Sequence, residues 1–173
     1  MRTPPTLRLA KPEESQFLVE LSEQTFRDTY GGYRESENMD AYVGSSFNRR
    51  QIQRELVDPA IIYLLALIDQ RPVGYAKLQD HPPPPCVIGE GPVELARIYV
   101  TTDLIGHGFG SALMRACLDQ AQGNGYHTIW LSVLETNSHA IDFYERWYFK
   151  NVGSRDFQLG NMSQIDAVMM RKV

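Results

Sequence analysis

Val93 to Ser111 reads VELARIYVTTDLIGHGFGS. Val93 and Leu95 fall on one face of an extended strand, by its period of two. Ile98 and Val100 also share a face, but one residue out of phase with the first pair. One extra residue near Ala96-Arg97 restores the alternation, which is what a β-bulge supplies. A bulge leaves backbone N–H groups unpaired and can splay a strand from its neighbour, so that an extended ligand enters the gap. A strand apolar on both faces needs no bulge, and periodicity alone leaves both readings open.

The strand runs into Ile105-Gly106-His107-Gly108-Phe109-Gly110-Ser111, and a helix follows. Alternating glycines let the backbone turn its N–H groups toward one point, and a helix N-terminus adds the positive end of its dipole. Such a turn suits a phosphate. It is not a dinucleotide fingerprint, because five residues separate it from the strand and Ser111 stands where the third glycine belongs. It is not a P-loop, because no lysine follows Gly110.

Outward from this stretch, Gly108 to Gln122 has Leu113, Met114, Cys117, Leu118 and Ala121 on one helical face, and Gly123-Asn124-Gly125 ends it. Thr128 to Leu134 reads as a strand, and Asn137 caps a helix running to about Tyr148. Phe149 to Phe157 and Ile165 to Arg171 read as two closing strands. On the N-terminal side, Ile61 to Asp69 and Val73 to Gln79 form a hairpin around Asp69-Gln70-Arg71-Pro72. His81-Pro82-Pro83-Pro84-Pro85 is a stiff loop, since proline cannot donate to a sheet. Thr6 to Ala10 is a first strand. Three helical segments follow, opening at Lys11-Pro12, near Glu37 and near Asn48. The order β, helices, ββ, β, α, β, α, β, β is that of one mixed α/β sheet over residues 1–173, with no linker or repeat to divide it.

Bulk properties narrow the function. A net charge of −4 with no basic stripe excludes ordinary nucleic-acid binding. No apolar run approaches the roughly 18 residues of a membrane span, and no signal-peptide pattern opens the chain. Cys86 and Cys117 form no CxxC pair, and the four histidines lack metal-ligand spacing, so neither a disulfide framework nor a metal site is expected. A cytoplasmic setting is the expectation, and a homodimer is among the assemblies the sequence allows. No G-x-S-x-G stretch marks a serine hydrolase.

Tyr144 lies seven residues, about two helical turns, after Asn137, so both face one way. An amide at a helix start can hold a polar ligand chain, and a phenol two turns on can protonate a leaving group. Each also has a purely structural reading, Asn137 as a cap and Tyr144 as packing beside Phe143 and Trp147.

Taken together, the chain resembles the GNAT acetyltransferases. Glu94-Leu-Ala-Arg-Ile-Tyr-Val100 looks like that family's central bulged strand. Gly106-His-Gly-Phe-Gly-Ser111 looks like its pyrophosphate loop, and Asn137 to Arg146 looks like its N-x-x-A-x-x-x-Y-E helix. The resemblance is specific over residues 93 to 150; the N-terminal half loosely resembles bacterial polyamine-type N-acetyltransferases. It implies a seven-stranded mixed sheet, helices on both faces, and a V-shaped splay between the fourth and fifth strands. It implies acetyl-CoA as cosubstrate, with no metal. The pantetheine arm would lie along Ile98, Tyr99 and Val100, the pyrophosphate on residues Ile105, Gly106, His107, Gly108, Phe109, Gly110 and Ser111. Asn137 would touch the pantetheine, and Tyr144 would protonate the leaving thiolate. Two positions depart from the family. Ile105 stands where Gln or Arg is usual, which removes a polar contact to phosphate and predicts modest CoA affinity. Tyr148 stands where Gly is usual, and a left-handed residue there costs a tyrosine more than a glycine, so the helix is expected to end differently.

The acceptor expected is the primary amine of a small molecule, with a polyamine as one candidate. A peptide N-terminus and a non-catalytic acyl-CoA-binding module remain as alternatives. An alkyl amine of pKa near 10.4 is neutral in only about 1 molecule in 2,500 at pH 7, so a base should help. Glu94, through one water, is the first candidate, and Glu135 the second. Acceptor specificity is expected in Phe26 to Glu37, with Tyr30 and Tyr33, and in a loop from Asp156 to Gln164. Glu35, Glu37 and Asp40 could attract a polycation, or could form a solvated helix face.

Overall fold

The computed structural model describes residues 5–30, 37–159 and 162–173. Tyr33 and Glu35 lie outside them. Seven strands form one sheet in the order β1-β2-β3-β4-β5-β7-β6. They are β1 (Thr6–Leu9), β2 (Ile61–Ile68), β3 (Arg71–Gln79), β4 (Pro92–Val100), β5 (Thr128–Leu134), β6 (Lys150–Leu159) and β7 (Met162–Lys172). Only β4 and β5 are parallel, and every other neighbouring pair is antiparallel.

The continuous apolar run of β2 follows from burial on both faces. Tyr63, Leu65 and Leu67 pack with Leu18, Leu21 and Ile52, residues of α1 (Ser15–Thr29) and α3 (Arg49–Glu55). Leu64 and Ala66 point the other way, toward Leu113, Met114 and Cys117 of α4 (Phe109–Gly123). Leu65 and Leu113 are both fully buried, so truncating either to alanine would cost about 3 kcal/mol. Met39, Val43 and Phe47 close α2 (Glu37–Ser46) and its exit against Phe26 of α1.

Local chemistry sets the helix ends. Glu14 accepts from the Lys11 N–H at 2.7 Å and pairs with Arg8 at 2.6 Å, fixing the short 3-10 turn that leads into α1. Asn48 Oδ1 accepts from the Gln51 N–H at 2.9 Å and starts α3.

Two expectations change. The segment from Asp156 to Gln164, expected as a loop, is mostly hairpin: Phe157 pairs with Gln164, Gln158 with Ser163 and Leu159 with Met162, leaving 160–161 outside the described residues. Its polar residues hid the strands because β6 is an exposed sheet edge. The helix at Tyr148 does not end differently. Tyr148 takes φ +65°, the left-handed conformation a glycine would take.

Candidate active site

β4 carries a bulge at Ala96. Lys77 of β3 faces Arg97 and Leu78 faces Leu95, so Ala96 is the extra residue. Before the bulge, Pro92, Val93 and Glu94 pair with Thr128, Ile129 and Trp130 of β5. Beyond Glu94 the two strands have no paired residues, although β5 continues beside β7 to Leu134. The bulge also switches the faces. Val93, Leu95, Ile98 and Val100 all reach the α4 side, while Arg97 and Tyr99 turn to the α1–α3 side.

The parting strands open a cleft of about 620 Å³. One wall is the free edge of β4 from Leu95 to Val100, and the other holds Ser132, Val133 and Leu134 of β5. Ile105, Gly106, Gly108, Gly110 and Ser111 form its glycine end. Gly106 and Gly108 have φ of +80° and +87°, which only glycine adopts freely. A Cβ at either would meet no atom within 4 Å, so backbone conformation rather than crowding calls for glycine. Gly108 caps α4, whose first helical bond runs from the Ala112 N–H to the Gly108 carbonyl. The donors ahead of it have no helical acceptor and sit at the positive end of the dipole.

α5 (Ser138–Arg146) forms the facing side. Asn137, Ala140 and Tyr144 fall on one helical face and all line the cleft. Asn137 does act as a cap, its Oδ1 accepting from the Ala140 N–H at 3.2 Å, which leaves its Nδ2 donors uncommitted to the cap. Tyr144 is half-buried. Burial first, then the neighbouring Tyr30 and Cys117, raise its pKa well above the ordinary 10, so the hydroxyl keeps its proton. Thr29 and Tyr30, at the end of α1, close the cleft from the opposite face of the sheet.

Other expected residues fall elsewhere. Phe109 is buried in the core beneath α4, and His107 is exposed, its Nδ1 3.0 Å from the Ile105 carbonyl. Glu135 does not line the cleft. Neither does Glu94, which sits one residue short of it, nearly buried, in register with Trp130. Its carboxylate touches His81 Nε2 and lies 3.5 Å from Arg155. Ser132 links the cleft to Asp166, whose carboxyl is pushed up by burial, against the pull of Arg155 and of Ser132 itself. Cys117 is fully enclosed and its thiol is pushed up to about 12 by burial.

Sequence reading passed over Arg97 and Ser132. A charged residue within an otherwise apolar strand segment was the available signal for Arg97; nothing local marked Ser132. A second cavity of about 640 Å³, between α1 and the turn joining β2 to β3, carries none of the candidate catalytic or cofactor-binding residues. Among the described residues no cluster of His, Cys, Asp or Glu could hold a metal, and no helix is long and apolar enough to cross a membrane.

The architecture is shared. An uncharacterized N-acetyltransferase of Mycobacterium tuberculosis is 33% identical over 138 residues, 79% of this chain and 83% of the relative. The PaiA N-acetyltransferase of Thermoplasma acidophilum, solved in complex with coenzyme A, superposes with a TM-score of 0.79 at 20% identity. That match covers 99% of this chain and 100% of the other. A probable acetyltransferase of Staphylococcus epidermidis superposes with a TM-score of 0.78 at 14% identity, over 98% and 99% of the two chains. Residues 17–149, which include the bulged strand, the glycine turn and the Tyr144 helix, match the acetyltransferase (GNAT) family, and the chain belongs to it.

Proposed function

We propose that this enzyme transfers the acetyl group of acetyl-CoA to a primary amine of a small molecule, by direct attack within a ternary complex. The observation that carries the proposal is the cleft itself. It begins at the Ala96 bulge, ends on the spare N–H donors of the glycine turn, and has Tyr144 between. An acyl-CoA has matching parts in the same order: a thioester, an amide-bearing arm and a pyrophosphate.

In this reading the free backbone groups of Ile98 and Val100 hydrogen-bond the pantetheine arm as a missing strand would. The N–H groups of Gly106 and of Gly108 to Ser111 hold the pyrophosphate, the His107 N–H being bonded to the Leu104 carbonyl at 3.2 Å. Asn137 donates its Nδ2 to the arm. An N–H freed by the bulge polarises the thioester carbonyl and stabilises the oxyanion that forms on attack. Glu94, through a water, takes a proton from the substrate ammonium, and the neutral amine so formed attacks the thioester carbonyl; His81 and Arg155 hold the carboxylate. As the carbon–sulfur bond breaks, Tyr144 gives its hydroxyl proton to the departing thiolate, a role that its raised pKa keeps filled at neutral pH, and the surplus proton of the acylated nitrogen restores the phenol.

Direct attack is favoured over an acetyl-enzyme because neither Cys86 nor Cys117 lines the cleft, and Cys117, the one that neighbours Tyr144, cannot serve. Cys117 is enclosed and protonated, while a nucleophilic cysteine needs an accessible thiolate. Initial rates measured over a grid of acetyl-CoA and amine concentrations test the order of events. Intersecting double-reciprocal lines, with no acetylated protein after incubation with acetyl-CoA alone, are expected; parallel lines with an acetyl-enzyme would contradict it.

A further inference from the structure

Arg97 is the first residue after the bulge, on the α1–α3 face of β4, and it lines the cleft. Phe47 lies under its guanidinium, 4.5 Å from carbon to ring centroid, and fixes its plane. Yet its Nη1 is buried and has no hydrogen-bond partner among the described residues. Such donors are nearly always satisfied in native proteins, so an orphan asks for a missing acceptor.

Among the described residues, the acids with printed partners are already engaged. Glu55 is taken by Lys77 at 2.9 Å and by the Tyr63 hydroxyl at 2.5 Å. Glu94 is held by His81 and Arg155. Glu23 and Asp40 pair with Arg27 at 3.2 and 2.8 Å. Arg97 moreover stands directly across the β3·β4 pair from Lys77, a buried cation. Like charges facing each other across a sheet are unfavourable and gain from an anion placed near them. A planar guanidinium fork matches a carboxylate, which accepts from two of its N–H groups at once. A polyamine would bring further positive charge to the same place.

Resting on the acetyl-transfer reading above, we infer that Arg97 binds a carboxylate of the acceptor, so that the amine acetylated belongs to a free amino acid or a similar amine-carboxylate. This sets substrate choice without touching the bond that breaks. The amine still attacks the thioester carbonyl, and Arg97 anchors the other end of the molecule.

The test compares matched pairs, an amino acid against the amine left when its carboxylate is removed, with spermidine and short peptides beside them. Thiol release from acetyl-CoA gives kcat/KM for each. The amino acid of the best pair is expected to exceed its decarboxylated partner by on the order of 10²-fold, chiefly through KM. Arg97→Gln should collapse that ratio toward one, and Arg97→Lys should keep part of it. Calorimetric binding of acetyl-CoA by each variant reports whether the fold is intact. If Arg97→Gln does not bind, the wild-type ratio and the lysine variant decide. A best substrate that is spermidine, a decarboxylated amine or only a peptide overturns the inference, as does an unchanged ratio in Arg97→Gln. No thiol release with any amine overturns the acetyl-transfer reading beneath it.

Discussion

Phe149 sets its ring edge-on against Tyr144, with centroids 5.9 Å apart and planes at 63°. The contact is part of how α5 ends. The Phe149 N–H reaches back to the Tyr144 carbonyl at 3.1 Å, and the Tyr148 N–H reaches the Glu145 carbonyl at 2.9 Å. These are the two bonds of a Schellman motif, and the ring pair is its usual apolar clasp. The residue that makes the turn is Tyr148, in the left-handed region at φ +65°. A helix-terminating device thus holds the proposed catalytic phenol in place.

Tyr148→Gly removes the left-handed penalty at that turn. Tyr148 is 77% exposed, and its ring makes only a distant contact, 6.0 Å from the Arg171 guanidinium. A stability gain of about 1 kcal/mol is expected, or about 2–4 °C in Tm. Thermal unfolding of the variant measures it. An unchanged or lower Tm would mean that the tyrosine ring contributes more than the strain costs.

Tyr144→Phe keeps the ring contacts with Phe143 and Phe149 and removes the hydroxyl alone. A fall in kcat of about 10²-fold with acetyl-CoA affinity nearly intact is expected. Equal loss of both would assign Tyr144 to packing.

Gly108→Ala and Gly108→Asp separate strain from charge. Alanine meets open space and costs only the positive φ, about 1–2 kcal/mol of local strain, so acetyl-CoA binding should weaken modestly. Aspartate adds a negative charge beside the proposed pyrophosphate, and binding should vanish. Calorimetry on both variants checks this, and similar affinities for the two would remove the anion from the glycine turn.

Alkaline pH should destabilise the fold. Burial, ahead of any neighbouring charge, raises the pKa of Tyr63, Tyr99 and Tyr144 above the ordinary 10. Above pH 10 the unfolded chain loses protons that the native state still binds, so the stability these tyrosines contribute below pH 10 falls as pH rises. Urea unfolding between pH 8 and 11 should show the midpoint constant at first and falling beyond about pH 10. A midpoint that rises over this range would contradict the burial of these phenols.

The glycine turn and the Asn137–Tyr144 face were legible because each is a local pattern, and the bulge was legible as one of two readings the periodicity left open. A phase slip between Leu95 and Ile98, glycines before a helix and a spacing of seven need only neighbouring residues to be read. Glu94 is the first candidate base in the sequence, yet it is nearly buried between His81 and Arg155, partners that only the fold brings together. Arg97 stands out in sequence only as a charge in an apolar strand segment, because its surroundings depend on where Lys77, Glu55 and Phe47 lie. Tyr148 shows the reverse case, a local preference overridden by the closing contact of Phe149 with Tyr144.

Acetyl-CoA binding by calorimetry, followed in the same cell by free-thiol release on adding amines, tests the central claim most directly. Saturable binding, then amine-dependent release of one thiol per acetylated product, is the predicted result. Absence of acetyl-CoA binding would contradict the assignment of the β4–β5 cleft, and binding without release on any amine would contradict acetyl transfer to a small molecule.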